Sequence, residues 1–155
     1  MSTEGPREAD AVVCELRIAA QAEAVFPFFT DPELIVRWMG DPATLNPQPG
    51  GAYRLRIAGS NVARGEYLEV EPPGRVVLTW GWEDEGTLVP PGSSTVEVEL
   101  IPEGEGTLVR LTHRDLPSAA RDGHRMGWDH YLGRLAVVAT GGDPGPDQGP
   151  GSVAE

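Results

Sequence analysis

The sequence predicts an α+β domain: a curved antiparallel sheet of about six strands, a long C-terminal helix covering one face of it, and two short helices after the first strand. Three observations predict this. Apolar residues alternate with polar ones in six separate segments, the period of half-buried strands. Five of those segments follow one another with mostly short turns rich in Gly, Pro and Asn between them, which makes a meander. One stretch near the C-terminus carries apolar residues at helical spacing instead.

In the first strand, Val12, Cys14, Leu16 and Ile18 alternate with Glu15 and Arg17. Cys14 falls on the buried face and reads as a small core hydrophobe. The segment from Ala22 to Phe29 is a short helical candidate, bent or brief because Pro27 removes a backbone donor. Asp31-Pro32-Glu33 is a helix start, with Asp31 as the cap and Pro32 at the first helical position. Gly40 can end that helix.

A Pro-rich loop leads to Gly50-Gly51 and the run of strands. Tyr53, Leu55 and Ile57 alternate with Arg54 and Arg56. Glu66, Leu68 and Val70 share one face of the next strand, opposite Tyr67, Glu69 and Glu71. Val76, Leu78, Trp80 and Trp82 alternate with Val77, Thr79 and Gly81. A ten-residue loop, 83–92, follows. Val96, Val98 and Leu100, then Val109, Leu111 and His113, complete the inner face. The closing helix is expected from about Ala119 to Ala139, with Trp128, Tyr131, Leu132 and Leu135 on its buried stripe and Gly141-Gly142 as the stop. A sheet gripping one helix leaves a cavity wherever side chains do not fill the space between them.

Charge narrows the function classes. Acids number 24 and bases 12, all of them Arg, for a formal net charge of −12. A chain this acidic lacks the basic footprint that nucleic acid or anionic lipid requires. With no lysine, a Lys nucleophile or Schiff base is excluded. Residues 1–11 and 141–155 read as disordered tails around a domain spanning 12–140, because the second, rich in Gly and Pro, has almost nothing apolar to offset its ordering entropy. The domain itself carries 18 acids and 11 Arg, a net of −7. No apolar run is long enough to span a membrane, the N-terminus lacks the pattern of a secretory signal, and Cys14 has no partner within the chain, so a cytoplasmic location is expected.

Alternation also nominates a pocket. From the strands it takes Tyr53, Leu55, Glu66, Leu68, Trp80, Trp82, Val98 and His113. From the helix it takes Trp128, Tyr131 and Leu135, with Trp38 near the entrance. Trp and Tyr offer broad apolar faces with one polar tip, which suits an aromatic ligand; equally, they can simply fill the core. Glu66 is a carboxylate on an otherwise apolar face. Burial there would raise its pKa or demand a partner, giving either an acid–base group, an Arg ion pair, or a strand edge open to water. His113 can meet a ligand or cap a turn. Three scattered His and one Cys lack the spacing of a zinc site, so no metal and no other cofactor is expected. The acidic runs Glu83-Asp84-Glu85 and Glu97/Glu99 read as solvated faces or as a docking surface for a basic partner.

Element order and a series of short motifs resemble the SRPBCC (START-related, birch-allergen-like) helix-grip superfamily, and within it the heat-shock protein 90 ATPase activator homologue-like family. The motifs are Val25-Phe26, Thr30-Asp31-Pro32-Glu33, Arg37-Trp38 and Pro49-Gly50-Gly51. They continue through Gly65, Glu69-Val70, Pro72-Pro73, Leu78-Thr79-Trp80, Gly106-Thr107, Leu111-Thr112-His113 and Gly127-Trp128 with Leu132. The chain departs from the family at Pro27 and at Met39, where many relatives carry a second aromatic; Met39 therefore joins the expected pocket at its mouth.

The resemblance implies a pocketed fold rather than a fixed activity. The expectation drawn from it is non-enzymatic binding of a small hydrophobic or aromatic molecule between sheet and helix. The alternatives are a domain that interacts with a heat-shock protein 90 type chaperone and a polyketide cyclase- or aromatase-like enzyme using Glu66, Tyr53 or His113. A homodimer through an exposed edge strand is the remaining partner considered.

Overall fold

The computed structural model describes residues 11–58 and 61–145. The chain runs β1 (Val12–Ile18), α1 (Ala22–Val25), a 3-10 turn (Phe26–Phe29), α2 (Pro32–Ile35), β2 (Ala43–Leu45), β3 (Ala52–Ala58), β4 (Asn61–Glu71), β5 (Arg75–Trp80), β6 (Ser94–Glu103), β7 (Gly106–Arg114) and α3 (Ser118–Ala139). The strands form one antiparallel sheet in the order β1-β7-β6-β5-β4-β3-β2. From β2 to β7 it is a meander, and β1 closes the far edge by pairing with β7, Val12 opposite His113 and Ile18 opposite Thr107. The helix-grip expectation holds, with one strand more than expected. The added strand is β2, three residues inside the stretch read as a Pro-rich loop, held to β3 by Leu45 opposite Tyr53.

The helices follow their local chemistry. Pro27 leaves α1 one turn long and the chain continues as a 3-10 turn, which buries Phe26, Phe28 and Phe29. Asp31 caps α2, its Oδ1 accepting from Glu33 N at 2.9 Å. Gly40 turns back toward β3 at φ +75, where a Cβ would lie 2.4 Å from Arg56 O, so only glycine fits. The inner faces of β1, β3, β5, β6 and β7 have the expected phase, from Val12 and Cys14 through Leu55, Val76 and Val98 to Leu111.

β4 does not. Tyr67 is 2 % exposed and Leu68 44 %. Glu66 and Leu68 therefore lie on the outer face, and Ala63 and Tyr67 face the core. The strand carries apolar residues on both parities, and a bulge between Tyr67 and Glu69 shifts its register against β5, so no single alternation runs its length.

The outer face carries an ion-pair ladder. Arg110 holds Glu15 at 2.6 Å and approaches Glu99; Arg75 holds Glu69 at 2.9 Å and pairs with Glu97, which Arg114 holds at 2.6 Å. Burial pushes the Glu97 carboxyl up, but hydrogen bonds from Arg114 and Arg75 outweigh it and hold the pKa below 4.5. Glu83 likewise accepts two bonds from Arg54. Glu83, Glu97 and Glu99 are thus ion-paired, while Asp84 and Glu85 are exposed.

Ala11, assigned to the N-terminal tail, is buried at the start of β1. At the other end, residues 141–145 fold back: Gly142 N donates to Val137 O, and Arg134 Nη1 donates to Gly145 O. The rest of both tails lies outside the described residues.

Candidate functional site

A cleft of about 440 Å³ opens between the N-terminal half of α3 and the end of the sheet. Its helix wall is Ala119, Ala120, Gly123, His124, Gly127, Trp128 and Tyr131. Its other walls are Trp80 and Trp82, Ile57 and Asn61 at the β3–β4 end, Met39, and Thr87-Leu88-Val89 from the 83–92 loop. The lining is predominantly apolar.

Helix sequence makes the opening. Ala119, Gly123 and Gly127 are spaced four apart and so share one face. A Cβ added at Gly123 or Gly127 would meet nothing within 4 Å. Two glycines inside a helix each cost roughly 1 kcal/mol relative to alanine, and here the missing side chains leave the space. The loop wall depends on Gly81, where a Cβ would sit 2.1 Å from Pro90 O. That close approach, with Trp82 N donating to Val89 O at 2.8 Å, draws the loop onto the strand end. Val89 is buried as its anchor, and Leu88 stands 59 % exposed at the mouth.

Two histidines fix the aromatic walls. Trp82 Nε1 donates to His124 Nε2 at 3.0 Å, and His124 Nδ1 donates to Ala120 O at 2.8 Å. Trp128 Nε1 donates to His113 Nδ1 at 3.0 Å. Each histidine thus accepts from an indole and is held neutral. Burial, with the neighbouring His124 adding to it, lowers the His113 pKa to about 3. Burial also lowers that of His124, against the bond to Ala120.

His113 Nε2 lies 2.8 Å from Ser94 Oγ, the spacing of a nucleophilic Ser–His pair. The proton inventory rules that role out. Nδ1 accepts from Trp128, so the ring proton sits on Nε2 and points at Ser94. Ser94 Oγ accepts it and donates onward to Trp80 O at 2.9 Å. A base toward Ser94 would need Nε2 bare. Ser94 is also 1 % exposed and does not line the cleft.

The pocket residues nominated by sequence therefore divide. Trp80, Trp82, Trp128, Tyr131 and Met39 line the cleft. Tyr53, Leu55, Val98 and Trp38 surround only a 30 Å³ void in the packed core. Trp38 is 1 % exposed and its Nε1 donates to Phe28 O at 2.9 Å, so it is a core residue, not an entrance. His113 and Leu135 are buried away from the cleft. Glu66 and Leu68 are on the wrong face altogether. Tyr53 Oη donates to Thr79 O at 2.9 Å, and burial raises its pKa well above the ordinary value. Burial and the Asp129 carboxylate push the Cys14 thiol up to about 12, so it is inert.

Sequence reasoning missed Gly123, Gly127, His124, Ile57, Asn61 and the loop residues. The available signal was in the helix composition: Gly123 and Gly127, four apart in α3, lower helix propensity and share the face of Ala119. Among the described residues, no cluster of His, Cys, Asp and Glu is placed to hold a metal ion, and no helix is long and apolar enough to cross a membrane.

Comparison with known proteins places this geometry among relatives. The family model for activator of Hsp90 ATPase homolog 1-like protein matches residues 19–140. The solution structure of an AHSA1-like protein from Rhizobium etli is 51 % identical, with a TM-score of 0.71, over 89 % of this chain and 86 % of that one. The crystal structure of DynU16, from the dynemicin biosynthetic locus, shares the fold with a TM-score of 0.76 at 23 % identity, covering 87 % of this chain and 49 % of that one. The human activator of 90 kDa heat shock protein ATPase homolog 1 is 26 % identical over 111 residues, 70 % of this chain. The match spans about 30 % of the length of the curated relatives.

Proposed function

The chain belongs to the activator of Hsp90 ATPase homolog 1-like family, and from that premise we propose that it binds a small hydrophobic or aromatic molecule, without chemistry, in the cleft beside Gly123 and Gly127. The observation carrying this is the cleft itself: about 440 Å³ of largely apolar space, within the usual range of small-molecule sites at about 300–1,000 Å³. Two glycines maintain it at a cost to the helix. Trp80 supports the reading. Its ring lines the cleft as broad apolar surface.

Binding is favoured over catalysis because the acid–base candidates are all spent. Glu66 faces outward, Tyr53 donates to a backbone carbonyl deep in the core, and His113 has both nitrogens committed.

A thermal-shift screen of small aromatic compounds tests the proposal. Binders raise Tm in the parent protein, by about 2.7 kcal/mol of added stability at a hundredfold excess over Kd. Gly127→Phe, whose ring occupies the cleft, abolishes the shift. Shifts that persist in Gly127→Phe would place the ligand elsewhere.

A second reading, interaction with a heat-shock protein 90 type chaperone, draws on the similarity to the human activator. Binding to purified chaperone, with a change in its ATPase rate, tests it. Failure of both measurements removes it.

A further inference from the structure

The ligand-binding reading can be taken one step further, to the class of molecule. We infer that the cleft selects uncharged, flat aromatic molecules and rejects carboxylates of the same shape.

Three observations carry this. First, no side chain lining the cleft bears a formal charge. Its one basic group, His124, accepts from Trp82 on one nitrogen and donates to Ala120 O with the other, so it offers an incoming anion no proton. A carboxylate entering such a space loses its water and gains no cation.

Second, one row of the helix wall is bare. Ala119, Gly123 and Gly127 mark about 12 Å of helix along which that row has no side chain beyond Cβ, beside the rings of His124, Trp128 and Tyr131. A smooth wall of that length complements a plane better than a branched or coiled chain.

Third, the aromatic surface of the cleft, from sheet and helix together, is rigid. Trp80 meets Trp82 edge to face at 5.7 Å and Trp128 at 5.1 Å, and the indole N–H groups of Trp82 and Trp128 are held by the two histidines. Rings fixed in this way present apolar surface at little entropic cost on binding.

A matched probe set tests the inference by calorimetry at pH 7.5 on the full chain: 2-acetylanthracene, anthracene-2-carboxylate, 2-(aminomethyl)anthracene and 1-tetradecanol. The neutral ketone binds at least about tenfold tighter than the carboxylate and than the alkanol. A carboxylate within tenfold of the ketone overturns the charge selection. An alkanol within tenfold overturns the selection for flatness. The ammonium probe binding tightest overturns neutrality and assigns the tryptophans to cation–π recognition. In each of those cases cleft binding still stands, provided Gly127→Phe abolishes it. If no probe binds, or if Gly127→Phe binds them all as the parent does, the ligand-binding reading itself falls, and this inference with it.

Discussion

The two halves of α3 sit on the same sheet and do opposite things. Its C-terminal half sends Leu132 and Leu135 into a filled core in which Leu135 is fully buried. Its N-terminal half presents Ala119, Gly123 and Gly127 and leaves about 440 Å³ open. Backbone geometry is the same at both ends. The contrast comes from side-chain volume on one helical face. A single helix can therefore anchor the fold at one end and hold a cleft at the other, with stability and recognition assigned to different turns.

The largest effect should come from breaking the closed end. Leu135→Ala removes a fully buried side chain and should cost about 2–5 kcal/mol in urea unfolding. Leu88→Ala at the mouth, already 59 % exposed, should stay within about 0.5 kcal/mol. Equal costs would erase the distinction between the two ends.

Acid should strike the boundary between them. His113 has a folded pKa of about 3 against 6.5 for the free side chain. The unfolded chain takes the proton first, so stability falls as pH drops from 6.5 toward 3, at up to about 1.4 kcal/mol per pH unit. His124, also lowered, acts in the same direction. The span above pH 5 belongs mainly to the histidines, because Glu97 and Glu83, lowered by their Arg partners, cost stability only as pH falls toward and below their unfolded value of 4.5. Urea midpoints measured from pH 7 to 5 check this, and a flat profile would contradict two buried neutral rings.

Filling the open end should do the reverse of emptying the closed one. Gly127→Ala meets no atom within 4 Å and gains helix propensity, so it should stabilise by up to about 1 kcal/mol. A loss of stability would mean that the wall is already in contact. The smallest effect is expected at Glu66. Glu66→Gln lies on the outer face and should change stability by less than about 0.5 kcal/mol and leave probe binding untouched.

Much of the fold was legible before the structure. Strands with a clean polar parity, such as Tyr53-Arg54-Leu55-Arg56 in β3, announced their buried face. So did the Asp31-Pro32 helix start and the stripe of Trp128, Tyr131, Leu132 and Leu135. β4 was not legible: Tyr67, Leu68 and Val70 offer apolar residues on both parities, and the bulge after Tyr67 resets the register. β2 was missed because three residues carry too little pattern to be seen without their partner β3. Of the nominated pocket, Trp80, Trp82, Trp128, Tyr131 and Met39 do line the cleft. Tyr53, Leu55, Val98, His113 and Leu135 are buried, but they face packed core rather than the cleft, and Trp38, expected at the entrance, lies in that core.

By itself, then, the sequence determined element order, helix starts and most inward faces, because period, caps and turn chemistry act over a few neighbouring residues. Only the tertiary structure decided which part of the interior stays open. Open volume is what remains after Gly123 and Gly127 on the helix, Trp80 and Trp82 at the strand end and Val89 in the loop have been brought together. No local pattern contains that difference, because packing is a property of residues distant in the chain and adjacent only in space.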